Sequence, residues 1–248
     1  MKYFQILSVT LFCLVVTFTT SCKKDPAPIP TGTFLMHLHT NIDSTEVEAG
    51  NIAKDANGSH IQLDVAKLLI SNIQLKKSDG TYYTVENAYL VKTIDKEVYT
   101  VGSVPAGNYL SVKFNVGLDA ATNAKVPSTF DSTNPLAAAE NWFGSPSRGY
   151  IFANLQGKAD VSANQSGPVD QAFSYQLGGS SMLQSVSLPD KTFTIIANSD
   201  NLVHLTADYG ILLQGIDFKT QSNATPSLNA ATGVQIANNI PNMFRYEE

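Results

Sequence analysis

The side chains best suited to chemistry in this chain are histidines. His37 and His39 stand two residues apart in Thr-Phe-Leu-Met-His-Leu-His-Thr, residues 33–40. On a β-strand, residues i and i+2 project from one face, about 7 Å apart along the backbone. Two imidazoles so placed could converge on one ion, and imidazole suits copper and zinc. The plainer explanation is a polar outer face of a sheet. Met36 offers a thioether, but from the opposite face of the same strand. His204, in Val203-His204-Leu205, reads by itself as a hydrogen-bonded strand histidine. His60, after Asn57-Gly58, reads as a surface residue at a strand start. Trp142 is the only tryptophan, and a lone indole more often packs than reacts. Asp119 and Asn123 bracket a tight loop, where such side chains ordinarily cap backbone groups.

Signatures of catalysis are missing. The sequence has no nucleophile elbow, no phosphate loop and no His-Glu-x-x-His, and its carboxylates are scattered rather than paired. The chain is therefore expected not to be an enzyme. Of 248 residues, 43% are hydrophobic and only 15% charged, with Ser, Thr, Asn and Gly making up the difference. That balance disfavours long amphipathic helices and favours a β-rich exported domain. The formal net charge is −5 and the two arginines, Arg148 and Arg245, are far apart, which disfavours a nucleic-acid partner, and none is expected. The two cysteines are Cys13 and Cys22, so the folded domain has neither an internal disulfide nor a thiolate metal site.

The N-terminus reads as an address. Met1-Lys2 precedes an apolar stretch over residues 5–18, and Thr19-Thr20-Ser21 places small residues before Cys22. This resembles a bacterial lipoprotein signal, with Thr19 where Leu is usual. The expectation is a signal peptide over 1–21, acylation of Cys22, and a tether over 22–32 stiffened by Pro26-Ala-Pro-Ile-Pro30. The protein would then be lipid-anchored at the outer membrane of a Gram-negative envelope, periplasmic or surface-exposed, with one domain over 33–248.

The elements that would position these residues are short strands. Residues 33–40 alternate, with Phe34, Met36 and Leu38 on one face and Leu35, His37 and His39 on the other. Residues 60–75 are strand-like, Asp79-Gly80 marks a hairpin before Thr81–Val85, and residues 109–117 alternate again. Residues 118–148, broken by Pro127, Pro135 and Pro146, form a long loop, either functional or ordered by its own contacts. Strands follow at 150–155, 173–177, 182–188, 191–196 and 202–207, then a short helix over 230–239. The expected fold is all-β: an antiparallel β-sandwich with one long irregular loop and a short C-terminal helix.

Four stretches carry a family resemblance: Ile70–Leu75 with the Asp-Gly turn; Val104-Pro-Ala-Gly-Asn-Tyr109 running on to Asp119 and Asn123; Gly149-Tyr-Ile-Phe152 with Leu155-Gln-Gly157; and Phe173-Ser-Tyr-Gln-Leu-Gly-Gly179. Their order and spacing over 33–246 resemble the MbnP-like copper-binding periplasmic proteins and lipoproteins. The resemblance implies a β-sandwich that binds copper through histidines and an oxidised tryptophan, the modification being made by a di-haem, peroxidase-like partner. Carried onto this chain, it implies His39, His204 and His37 as copper ligands and Trp142 as the oxidised aromatic. Where the family often has Tyr-His-x-Gly-Gly, this chain has Tyr175-Gln176-Leu177-Gly178-Gly179. The alternative is a lipoprotein of the same fold that binds no metal and serves as a surface binding or structural module.

Overall fold

The structure, a computed structural model, describes residues 28–228 and 230–247. The signal peptide, Cys22 and most of the expected tether lie outside the described residues. Among the described residues, no helix is long and apolar enough to cross a membrane.

Two sheets enclose the core. The five-stranded sheet contains β1 (Thr31–Ile42), β2 (Thr45–Glu46), β7 (Val98–Pro105), β13 (Asp200–Asp208) and β15 (Phe244–Tyr246). The ten-stranded sheet contains β3 (Ile52–Lys54), β4 (His60–Lys77), β5 (Tyr82–Thr84), β6 (Leu90–Lys92), β8 (Gly107–Val116), β9 (Ile151–Ala159), β10 (Gln171–Gly178), β11 (Gln184–Ser187), β12 (Phe193–Ile195) and β14 (Asn223–Ala224). Side chains meet across the interior: the rings of Phe114 on β8 and Phe244 on β15 cross edge to face, 4.9 Å between centroids. The fold is thus all-β and sandwich-like, as the sequence predicts.

β1 lies at the centre of the smaller sheet and obeys the two-residue period of a strand. Phe34, Met36, Leu38 and Ile42 are fully buried, while Leu35, His37 and His39 face outward. β1 begins at Thr31, so the last two residues of the expected tether are already paired, Thr31 with Pro105 and Gly32 with Val104. One side of β1 pairs with β7 and β2 in antiparallel fashion. The other side pairs with β13 in parallel, as β14 does with β10, so the expectation of purely antiparallel sheets is corrected to mixed ones. Parallel neighbours require a long crossover, and nearly the whole domain lies between β1 and β13.

The long strand β4 explains why residues 60–75 lack one clean alternation. Its buried positions change parity at irregularities between Leu63 and Val65 and between Ser71 and Gln74. Asn72, at the second, takes a positive φ of 49°. The Asp79-Gly80 hairpin forms as expected, with Asp79 accepting from the Thr81 amide.

Residues 118–148 contain a four-residue helix, α1 (Ala120–Asn123), and three 3-10 turns. The stretch is ordered by its own contacts. Asp119 caps α1 by accepting from the Ala121 and Thr122 amides. Asn123 accepts from the Tyr150 amide at 2.8 Å, and the Tyr150 hydroxyl donates to the Leu136 carbonyl at 3.0 Å. Gly149, at φ +68°, lies so close to Asn123 that a Cβ would fall 2.2 Å from its side chain. Helix α2 (Tyr209–Leu212) follows β13, and α3 spans Ala230–Asn239 as the sequence predicts.

Candidate metal centre

Parallel pairing of β1 with β13 sets His37 directly opposite His204. Both strands bury their odd or even apolar residues inward, so the two imidazoles and that of His39 emerge together on the outer face of the five-stranded sheet. His37 Nδ1 is 3.0 Å from His204 Nδ1. Ring centroids of His37 lie 4.1 Å from those of His39 and 4.7 Å from those of His204. Each of the three offers one nitrogen within 4.8 Å of the others. All three sequence-predicted ligands are therefore together, and Met36 is buried on the far side of the strand.

Three glutamates surround this cluster, and sequence reasoning missed all of them. Glu97, in the turn before β7, has Oε2 2.8 Å from His37 Nε2 and Oε1 3.5 Å from His39 Nδ1. Its carboxyl is held below the usual carboxylate range, chiefly by the hydrogen bond from His37. Glu46 on β2 places Oε1 3.3 Å from His39 Nδ1. Glu247, just after β15, places Oε2 3.4 Å from His39 Nε2 and 3.2 Å from His204 Nδ1. A scattered acidic residue carries no local signal. Only strand pairing, such as His37 opposite Val98, brings these carboxylates in.

The donor chemistry fits a transition-metal ion. Imidazole nitrogens with carboxylate oxygens are ordinary ligands for copper and zinc. His39 Nδ1 is buried and lacks a hydrogen-bond partner, for the Glu46 and Glu97 oxygens stand at ion-pair distance without hydrogen-bond geometry. Asn41, next on the same outward face, likewise has a buried Oδ1 without a partner. Such orphaned atoms are uncommon in folded proteins and call for an explanation. A cleft of about 450 Å³ opens beside His204 and Glu247, walled by Lys191, Phe193, Leu202 and Tyr246.

Trp142 is placed elsewhere. It ends a 3-10 turn and bridges to Tyr150 at the start of β9, on the ten-stranded sheet. Its side chain is half-buried against the core, its Nε1 is buried without a partner, and its ring touches none of the histidines. Gln176, at the family's histidine position, also belongs to the ten-stranded sheet, opposite Asn154 on β9. His60 is a partly exposed residue whose Nδ1 lies 3.1 Å from the Gln165 carbonyl, in keeping with its surface reading.

No curated protein sequence matches this chain. Among solved structures, MbnP from Methylosinus trichosporium is similar with a TM-score of 0.54 at 12% identity, over 75% of this chain and 78% of that one. Likeness at that identity concerns the fold. The sequence profile of the MbnP family matches residues 31–230, from the first residue of β1 into α3. The chain belongs to the MbnP family.

Proposed function

We propose that this protein binds a copper ion through His37, His39 and His204, as a non-enzymatic, envelope-anchored copper-handling protein. The observation that carries the reading is the convergence of three imidazoles, from strands far apart in sequence, on one exposed sheet face. Glu97 holds His37 by its Nε2 and leaves Nδ1 facing His204, an arrangement in which a carboxylate fixes the ring of a metal-binding histidine. Bound there, copper would supply a Lewis-acidic or electron-accepting centre. The histidines orient it, and the cleft beside His204 gives a small ligand or a partner access to it.

The anchor and the partner extend this reading. Acylation of Cys22 would tether the domain to the outer membrane without a spanning helix. A di-haem, peroxidase-like protein would be the oxidant for Trp142, since this chain carries no haem or flavin motif. The half-buried indole with an unpartnered Nε1 is compatible with attack by an external oxidant. The proposed copper centre draws no ligand from Trp142, which bridges to Tyr150 on the other sheet.

The decisive test is metal stoichiometry. The purified protein, loaded with copper and desalted, is expected to retain one ion per chain, and His39→Ala is expected to retain almost none. Wild-type protein that retains no copper, or a His39→Ala variant that retains as much, would favour the metal-free surface module instead.

A further inference from the structure

Taking the copper-binding reading as its basis, the geometry points to Glu247 as the oxygen ligand that completes the three-histidine centre, and hence to a divalent ion as its preferred occupant. Ligand atoms at the usual bond lengths around one tetrahedral ion lie about 3.3 Å apart. The observed separations are 3.0 Å between His37 Nδ1 and His204 Nδ1, 3.2 Å between His204 Nδ1 and Glu247 Oε2, and 3.4 Å between Glu247 Oε2 and His39 Nε2. Successive pairs among these four atoms thus stand at the spacing of neighbouring ligands, and Glu247 bridges His204 and His39.

The other two carboxylates lie behind the rings. Glu97 meets His37 at Nε2, and Glu46 and Glu97 meet His39 at Nδ1, in each case the nitrogen on the opposite side from Glu247 or His204. For Glu97 at His37, where a hydrogen bond forms, that is the place of a positioning carboxylate, which orients a ligand ring through its second nitrogen. Of the three, Glu247 alone contacts both His39 and His204. The fold also fixes it there. The Glu247 amide donates to the His204 carbonyl at 3.2 Å, and its own carbonyl accepts from Lys191 Nζ at 2.8 Å. Two residues earlier, Arg245 donates to the buried Asp208 carboxylate at 3.0 Å, which ties β15 to the end of β13.

Oxidation state follows from the donors. Cu(I) favours soft thiolates and thioethers, and carboxylate oxygen favours harder, more highly charged ions. The sulfur of Met36 is buried on the other face of β1, and Met182 and Met243 are buried as well. Glu46, Glu97 and Glu247 form ion pairs with histidines rather than with lysine or arginine, so their charge is available to a bound cation.

The experiment compares Cu(II) with Cu(I), the latter under anaerobic reducing conditions, by competition titration of the full chain against chelators of known affinity. Glu247→Gln is expected to weaken Cu(II) roughly tenfold or more and Cu(I) less than about threefold, and to alter the electron paramagnetic resonance spectrum of the Cu(II) form. Glu46→Gln is expected to weaken Cu(II) less than Glu247→Gln does and to leave the spectrum closer to wild type. A Glu247→Gln variant with wild-type Cu(II) affinity and spectrum overturns the assignment, as does a Glu46→Gln variant that shows the larger loss. Wild-type protein that binds neither ion, or binding untouched by His39→Ala, would instead reject the copper centre on which the assignment rests.

Discussion

β1 separates two polar clusters that differ in almost every physical respect. On its outer face, His37 and His39 meet His204 and three carboxylates, with the His204 side chain 47% exposed. On its inner face, one residue beyond His39, Thr40 receives a hydrogen bond from Lys92, a lysine with 0% exposure that reaches across from β6. The Lys92 ammonium also donates to the Thr93 carbonyl at 3.2 Å and lies 5.7 Å from the ring centroid of Tyr209. The Tyr209 hydroxyl is buried without a partner. The outer cluster has more donor atoms than its internal hydrogen bonds use, and they point where an ion can arrive. The inner cluster is closed to solvent, and its charge opposes folding rather than serving a ligand. Polarity alone therefore does not mark a site; polarity with access and convergent ligand atoms does.

The sharpest way to break this contrast is to mutate neighbours on opposite faces of β1. Met36→Ala is expected to lower the unfolding free energy by about 2–5 kcal/mol, since it opens a cavity among fully buried side chains. His37→Ala in metal-free protein is expected to change it by less than about 1 kcal/mol. Urea denaturation of both variants measures the difference. A larger loss from His37→Ala would make the outer cluster a structural element.

Lys92→Met is expected to act next in size and in the opposite direction, raising stability by about 2 kcal/mol at neutral pH. Burial lowers the Lys92 pKa from 10.5 to about 8, while the charge of Glu97 pulls it partly back. The unfolded chain therefore binds this proton more tightly than the folded one. Wild-type stability should gain on Lys92→Met as pH rises from about 8 to 10.5, and the gap should stay constant below that window. A gap that does not depend on pH between those values would show that Lys92 holds its proton equally in the folded and unfolded chain, so that burial does not disfavour its charge.

Tyr209→Phe carries the smallest expected effect. It removes a hydroxyl that has no partner while keeping the ring beside Lys92. Thermal unfolding is expected to show a gain of about 1 kcal/mol or less. A clear loss would mean that the hydroxyl is engaged in the folded protein.

Much of the fold was legible because strand structure is a local property. The alternation in residues 33–40 placed Met36 and Leu38 inside and both histidines outside without knowledge of any neighbour, since a two-residue period follows from backbone geometry alone. The Asp79-Gly80 hairpin and the helix over Ala230–Asn239 were readable for the same reason. Lys92 was not. Nothing in Leu90-Val91-Lys92 marks the lysine as buried, and only the pairing of Leu68 with Lys92 turns that side chain into the interior.

The sequence by itself determined the ligand chemistry and the face on which His37 and His39 stand, because both depend on residue type and local period. Tertiary structure alone decided that His204 is their neighbour, through parallel pairing across 167 positions, and that Glu46, Glu97 and Glu247 enclose them. It also decided that Trp142 rests on the other sheet. The physical reason is that strand register between distant segments is set by the burial of both inner faces at once, a condition no short stretch of sequence contains.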